Sequence, residues 1–337
     1  MILNSVGEVY IYGSNLSNQL GTPDENLYYN KLSACAISDI KILPRISFIK
    51  SGTQYKTFGE NDFKQILSTN KNNVKYPTNM NRMKIYNIIE GFPKKFVVIQ
   101  SENKEIIFSG LNHFNGLSNS KLKNKKYLTN FKLDLNETIL GKKIVKIVGG
   151  STFFIILDDA GFVYGCGIND FGQLLLEDRV INFPRLLYPL KHLSIKDIAC
   201  GKNHVVFLTD KKEVFISGYN IYGQLGNEDR NKYFVKMDIS DIEKIFCGKN
   251  NSFFINSKNE LFGCGDNSSS QLGLDDDIKI KRVEKLCQNN IQYVTSGEEH
   301  SIFVTTDNEL LYSGNNSFYQ IPLERKKYIL EKIKFEV

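Results

Sequence analysis

A short turn pattern recurs seven times along this 337-residue chain, and nothing else in the sequence restricts the fold so strongly. The copies begin Gly13-Ser-Asn15, Gly59-Glu-Asn61, Gly110-Leu-Asn112, Gly167-Ile-Asn169, Gly218-Tyr-Asn220, Gly265-Asp-Asn267 and Gly314-Asn-Asn316. Most continue into Gln and an aliphatic residue, as in Gln173-Leu174 and Gln224-Leu225-Gly226. The gaps between first glycines are 46, 51, 57, 51, 47 and 49 residues. A period of that size marks a repeat architecture in which each unit buries its apolar face against the next.

Each period reads as short β-strands separated by turns. In the clearest unit, Ile195 to Cys200 forms a first strand (A). Val205 to Thr209 is a continuous apolar run, the signature of a strand buried on both faces (B). Val214 to Ser217 forms a third strand (C), and a more variable fourth strand (D) follows the turn motif. Gly201 and Asp210-Lys-Lys supply the turns between them. The distance from the glycine ending strand A to the motif glycine is 17 residues in four units, as from Gly201 to Gly218. The unit leading to Gly59 carries Pro44-Arg45 where the others carry Gly-x-x-His, and so has altered turn chemistry.

The fold expected from this pattern is all-β. It is a seven-bladed β-propeller occupying residues 1–337 as a single domain, with turn motifs at 13–21, 59–67, 110–118, 167–175, 218–226, 265–273 and 314–322. Ile329 to Val337 reads as an A strand with no B or C strand after it, and residues 1–12 read as B and C strands with no A strand before them. Pairing of the N- and C-terminal strands is therefore expected to close the ring and remove its exposed edges.

Composition narrows the function more by exclusion than by assignment. A net charge of +6 is small for a nucleic-acid-binding protein. No stretch is long and apolar enough to span a bilayer, and the N-terminus lacks a basic region followed by an apolar run, so no membrane partner or signal peptide is expected. The six cysteines include no Cys-x-x-Cys pair, and Cys166, Cys200, Cys247 and Cys264 fall at equivalent repeat positions. They read as small buried side chains in a reducing compartment, with no zinc site. The four histidines have no metal spacing, and no phosphate loop or nucleophile elbow is present. The expectation is a protein without covalent catalysis, cofactor or metal, monomeric and intracellular.

These residues resemble the regulator of chromosome condensation repeat. The likeness rests on Gly-x-Asn-x-x-Gly-Gln-Leu-Gly after a Gly-x-x-His-strand-turn-strand unit, and it covers nearly the whole chain. The family fold is a seven-bladed propeller. Its members include the nucleotide exchange factor for the GTPase Ran, ubiquitin-ligase subunits, light receptors and inhibitor proteins. The resemblance thus implies an interaction platform more firmly than an activity. It implies a guanine nucleotide exchange factor for a Ran-type small GTPase, nuclear or cytoplasmic, or else a non-catalytic protein–protein scaffold. The usual wedge after the third motif is replaced by Ser118-Asn119-Ser120, which weighs toward the scaffold.

Alternating strand direction places A–B and C–D turns on one face. That face should carry Asp62, His113, Asp170, His204, Glu298 and His300. The resemblance nominates Asp62, Asp170, His204 and His300 as GTPase contacts. A purely structural role for the two histidines, bonding neighbouring turns, stays open. The opposite face should hold the longest connection, residues 121–146, with eight lysines against Asp134 and Glu137. Lys121, Lys123, Lys125, Lys126, Lys142 and Lys143 form a candidate basic patch for phosphate, chromatin or an acidic protein. A solvated loop explains the same residues equally well.

Overall fold

The computed structural model describes residues 2–3, 7–11, 20, 30–32, 37–43, 46–52, 54–62, 73–80, 85–91, 96–101, 103–112, 126–133, 139, 141–228, 234–275, 279–287, 290–321 and 327–333. Six sheets follow one plan, with strands A to D antiparallel in sequence order. Blade 1 comprises Ile37–Leu43, Ile46–Ser51, Gln54–Glu60 and Asn73–Asn79. Blade 2 comprises Ile85–Ile88, Phe96–Ser101, Ile106–Leu111 and Tyr127–Lys132. Blade 3 comprises Ile144–Gly149, Phe153–Asp158, Val163–Ile168 and Val180–Leu186, with Glu90–Gly91 added as a parallel fifth strand. Blade 4 is Ile195–Cys200, His204–Thr209, Val214–Gly218 and Phe234–Lys236. Blade 5 is Ile242–Cys247, Asn251–Asn256, Leu261–Gly265 and Ile280–Lys285. Blade 6 is Ile291–Ser296, His300–Thr305, Leu310–Asn315 and Lys327–Lys332.

The B strands are the buried centre of each blade. Phe153–Asp158 and His204–Thr209 are buried at every position, because a blade packs on both of their faces. The A strands meet their counterparts in adjacent blades, which places them innermost. Each A strand in blades 1 and 3 to 6 carries a bulge near its start, as between Ile195 and Asp197. The extra residue lets two successive side chains face away from the blade. Lys146 Nζ thus reaches Asp197 Oδ1 at 2.9 Å, and Lys196 Nζ reaches Glu243 Oε2 at 3.3 Å, each tying one A strand to the next.

The expected closed seven-bladed ring is not what forms: among the described residues there are six four-stranded blades and no closed sheet. The N-terminal strands Ile2–Leu3, Val9–Ile11 and Asn30–Leu32 make a separate three-stranded sheet. The C-terminal segment that the sequence suggested as its inner strand has another partner. Lys327–Lys332 is the D strand of blade 6, with Leu311 opposite Lys332 and Asn315 opposite Lys327. Both readings place an apolar strand there. The antiparallel register with Leu310–Asn315 decides between them. Among the described residues, no strand of blade 6 pairs with the N-terminal sheet.

Within the 121–146 connection, two stretches are strand. Tyr127–Lys132 is a D strand, and Lys146 lies in the A strand Ile144–Gly149. The altered blade 1 keeps its four strands.

Candidate protein-binding face

Backbone hydrogen bonds show that A–B and C–D turns share a face. In blade 4, Tyr219 N–H donates to the Asn203 carbonyl at 2.9 Å. The same bond recurs from Ile168 to Thr152, from Asp266 to Asn250 and from Asn315 to Glu299. Adjacent A–B turns are bonded in series: Ser151 N–H to Lys202 O, Lys202 N–H to Lys249 O, and Lys249 N–H to Gly297 O. Blades 3 to 6 therefore present one continuous rim of turns.

The turn motif is built by its own side chains. Asn220 Oδ1 accepts from Leu225 N–H at 2.9 Å, and its Nδ2 donates to Asn227 O at 3.0 Å. Asn169 and Asn267 make the equivalent pair of bonds, and Asn316 Oδ1 accepts from Ile321 N–H while its Nδ2 faces the Ile321 carbonyl. Gln173 and Gln224 each accept from the N–H two residues earlier. The motif glycines from Gly59 to Gly314 have φ between 112 and 132°, where side chains rarely fit. The repeated Gly, Asn and Gln residues are thus fold chemistry, with Asn and Gln turned inward.

In blades 4 to 6 the residue before the motif glycine reaches the previous blade, whereas Ser109 and Cys166 at that position meet carbonyls of their own D strands. Ser217 Oγ donates to Gln173 O at 2.9 Å, and Ser313 Oγ donates to Ser270 O at 2.6 Å. In blade 5 the same position is Cys264, whose Sγ lies 3.5 Å from Gln224 O, and Ser252 Oγ donates to that carbonyl at 2.9 Å. These clasps were missed in the sequence. Their signal is the small Ser217, Cys264 or Ser313 directly before a motif glycine, although the same position at Ser109 and Cys166 makes no such clasp.

The candidate contact residues have different placements. Asp62 and Asp170 are exposed in C–D turns. Arg179 Nε holds Asp170 Oδ1 at 2.5 Å, which raises the guanidinium pKa. Glu298 Oε2 accepts from Lys249 Nζ at 2.8 Å; burial is the largest single influence on the lysine and lowers its pKa, but this bond and the charges of Glu298 and Glu299 together raise it overall. His300 is half-buried, stacked on Tyr312 with ring centres 5.8 Å apart. His113 lies outside the described residues.

His204 is wholly buried, so it supports this face from beneath and has no surface to offer a partner. Ser252 already donates to Gln224 O, so its oxygen must accept from His204 Nε2–H, 3.0 Å away. That count fixes the neutral tautomer with the proton on Nε2, leaving Nδ1 without a hydrogen-bond partner. Burial lowers the His204 pKa to about 4 and also lowers that of His300.

Of the candidate basic patch, Lys126 and the pair Lys142 and Lys143 lie at opposite faces. The Lys126 carbonyl accepts from Asn112 N–H beside a C–D turn, whereas the Lys143 carbonyl accepts from Asp159 N–H at a B–C turn on the opposite face. Lys142 Nζ stands 5.8 Å from the centre of the Phe162 ring, and Lys143 is exposed. Lys132 and Lys146 are engaged by Glu105 and Asp197. Lys121, Lys123 and Lys125 lie outside the described residues. Among the described residues, no group of three His, Cys, Asp or Glu could hold a metal, and no helix is long and apolar enough to cross a membrane.

Comparison with known proteins bears on the same repeats. One model of the regulator of chromosome condensation (RCC1) repeat matches residues 160–208 and 258–304, and a second matches 195–224 and 242–271. The chain is similar to the human probable E3 ubiquitin-protein ligase HERC4, 36% identical over 94 residues. That match covers 28% of this chain and 9% of the ligase. It is also similar to the mouse secretion-regulating guanine nucleotide exchange factor, 35% identical over 85 residues, covering 25% of this chain and 18% of the factor. The chain thus matches under a fifth of either relative's length.

Among solved structures, yeast Prp20p, described with its binding to Gsp1p and histones, superposes with a TM-score of 0.83 at 20% identity. It covers all of this chain and 88% of its own. Human WBSCR16 superposes with a TM-score of 0.81 at 14% identity, covering 98% of this chain and 95% of its own. At such identities the likeness is one of fold.

Proposed function

Since the chain belongs to the regulator of chromosome condensation repeat family, we propose that its A–B/C–D face docks a small GTPase of the Ran type and promotes release of its bound guanine nucleotide. The observation that carries this reading is the continuous rim, in which turns from blades 3 to 6 are bonded to each other and to their own A–B turns. A surface already ordered loses little entropy on docking. Similarity to a guanine nucleotide exchange factor and to a propeller described with Gsp1p supports the choice of partner.

Exchange needs no bond chemistry. A face that grips the nucleotide-free GTPase more tightly than the loaded one must lower nucleotide affinity by the same factor. Asp62 and Asp170 are the exposed acids proposed to contact the GTPase, in the nucleus or the cytoplasm.

The test is release of fluorescent GDP from Ran with and without the protein, repeated with Asp170→Ala. Faster release that falls about tenfold in the variant, the effect of losing one strong contact, is the expected result. An unchanged release rate at saturating folded protein overturns it. One observation favours a second reading, a non-catalytic scaffold: Asp170 is already held by Arg179, and His204 is buried. A stable Ran complex with unaltered GDP release establishes that reading.

A further inference from the structure

The turns after Gly167 and Gly218 differ from those around them. In blade 4 the turn reads Tyr219-Asn220-Ile221-Tyr222, where blade 5 has Asp266-Asn267-Ser268-Ser269. Phe171 of blade 3 packs against Tyr219, with ring centres 4.5 Å apart, and Tyr219 meets Tyr222 edge-on at 6.3 Å. All three rings are half-buried, and Ile221 beside them is 40% exposed. Phe171 and Tyr222 are fixed through their own N–H groups, each donating to the motif glutamine at 3.0 Å. The Ser217 clasp on Gln173 O holds the two turns together. The result is a row of rigid aromatic groups crossing a blade boundary.

The charge around this row is unbalanced. Lys279 Nζ sits 5.2 Å from the centre of the Tyr222 ring, and no ion pair joins it to another described residue. Lys202 precedes Asn203, whose carbonyl holds Tyr219 N–H, and it too has no ion pair among the described residues. Two acids of the same rim are committed, Asp170 to Arg179 and Glu298 to Lys249. An apolar centre of aromatic groups with a polar, charged rim is the anatomy of a protein interface.

We propose that Phe171, Tyr219, Ile221 and Tyr222, rimmed by Lys202 and Lys279, dock a protein segment that places an apolar side chain between carboxylates. This rests on the reading that the turn face meets a protein, and it adds where the anchor lies and what chemistry the partner presents.

The experiment is selection of a phage-displayed random dodecapeptide library on the intact protein, followed by affinity measurement on a synthetic copy of the enriched peptide. Peptides with Asp or Glu flanking an aromatic or aliphatic residue are expected. Their affinity should fall at least about tenfold with Tyr222→Ser, as for loss of one anchor. Lys279→Glu should weaken the same peptide without touching the apolar centre, and added salt should weaken it further. An unchanged melting temperature separates lost docking from lost folding in either variant. Failure to enrich any peptide, enrichment of basic peptides, or affinity unaltered by both variants overturns the proposal. The GTPase assay fails separately. Acidic peptides bound without GDP release leave this surface standing and remove exchange, whereas GDP release untouched by Tyr222→Ser does the reverse.

Discussion

At the scale of single residues, the Gly-x-x-His position is governed by contact with a glycine. A methyl group added at Gly201 would stand 2.0 Å from His204 Cε1 and 2.7 Å from the Gly248 carbonyl. Gly201→Ala must therefore displace either the ring or the next blade's backbone. The expected loss is roughly 1–3 kcal/mol, the range for overpacking, measurable as a lower urea midpoint. Burial gives His204 a further effect. Its folded pKa, about 4, lies below the ordinary 6.5, so the folded state holds the neutral ring. Stability is complete above about pH 6.5, falls as the unfolded chain alone takes up the proton, and levels off below about pH 4. The total loss from this group is roughly 3 kcal/mol. His204→Gln, which keeps a donor for Ser252, should show a smaller fall in urea midpoint between about pH 7 and about pH 4.5. An equal fall in both proteins assigns the pH dependence elsewhere. In the sequence this histidine is legible as a repeat residue. Its depth is not, because Phe153 and Asn251 fill the same position in blades 3 and 5 and no chemical type is required there.

Elements were legible where backbone geometry demands a particular residue. Turns that need positive φ advertise themselves with glycine, and inward-bonding Asn and Gln mark the same sites, so the motif positions follow directly from the sequence. Asn220→Ala removes the acceptor for Leu225 N–H and should cost roughly 1–3 kcal/mol, the penalty for a buried donor left unpaired, seen as a lower thermal midpoint. Features made between strands were not legible. Lys132, Lys236, Lys285 and Lys332 in four D strands pair with Glu105, Glu213, Glu260 and Glu309 at the starts of their C strands. Separations of 23 to 27 residues give no local sign of contact. These exposed pairs are weak, and Glu213→Gln should lower the thermal midpoint slightly at low salt and not at high salt. Cys166, Cys200 and Cys264 were legible as core residues, whereas Cys247 is half-buried. Burial raises the thiol pKa of Cys166, Cys200, Cys247 and Cys264, so a thiolate-specific reagent should label none of them before unfolding.

At the scale of the molecule, counting motifs overcounts blades. Seven turn motifs are present, yet the first belongs to a three-stranded sheet and the C-terminal strand completes blade 6. A motif reports one C–D turn. Whether an A strand joins the same sheet depends on distant pairing, which periodicity does not encode. Protection should follow the layers: in hydrogen exchange, amides of Phe153–Asp158, His204–Thr209 and Asn251–Asn256 should be slowest, and those of the outer strand Phe234–Lys236 faster. Uniform protection across a blade would contradict that order. The serine clasps give the assembly a direction, since Ser217, Ser252 and Ser313 each reach back to the turn of the blade before. A unit built this way docks onto the copy that precedes it through a backbone carbonyl of that copy's turn, Gln173, Gln224 or Ser270. Gene segments encoding such units can be duplicated or lost without redesigning a seam, so the number of copies drifts in evolution more freely than the turn that defines them.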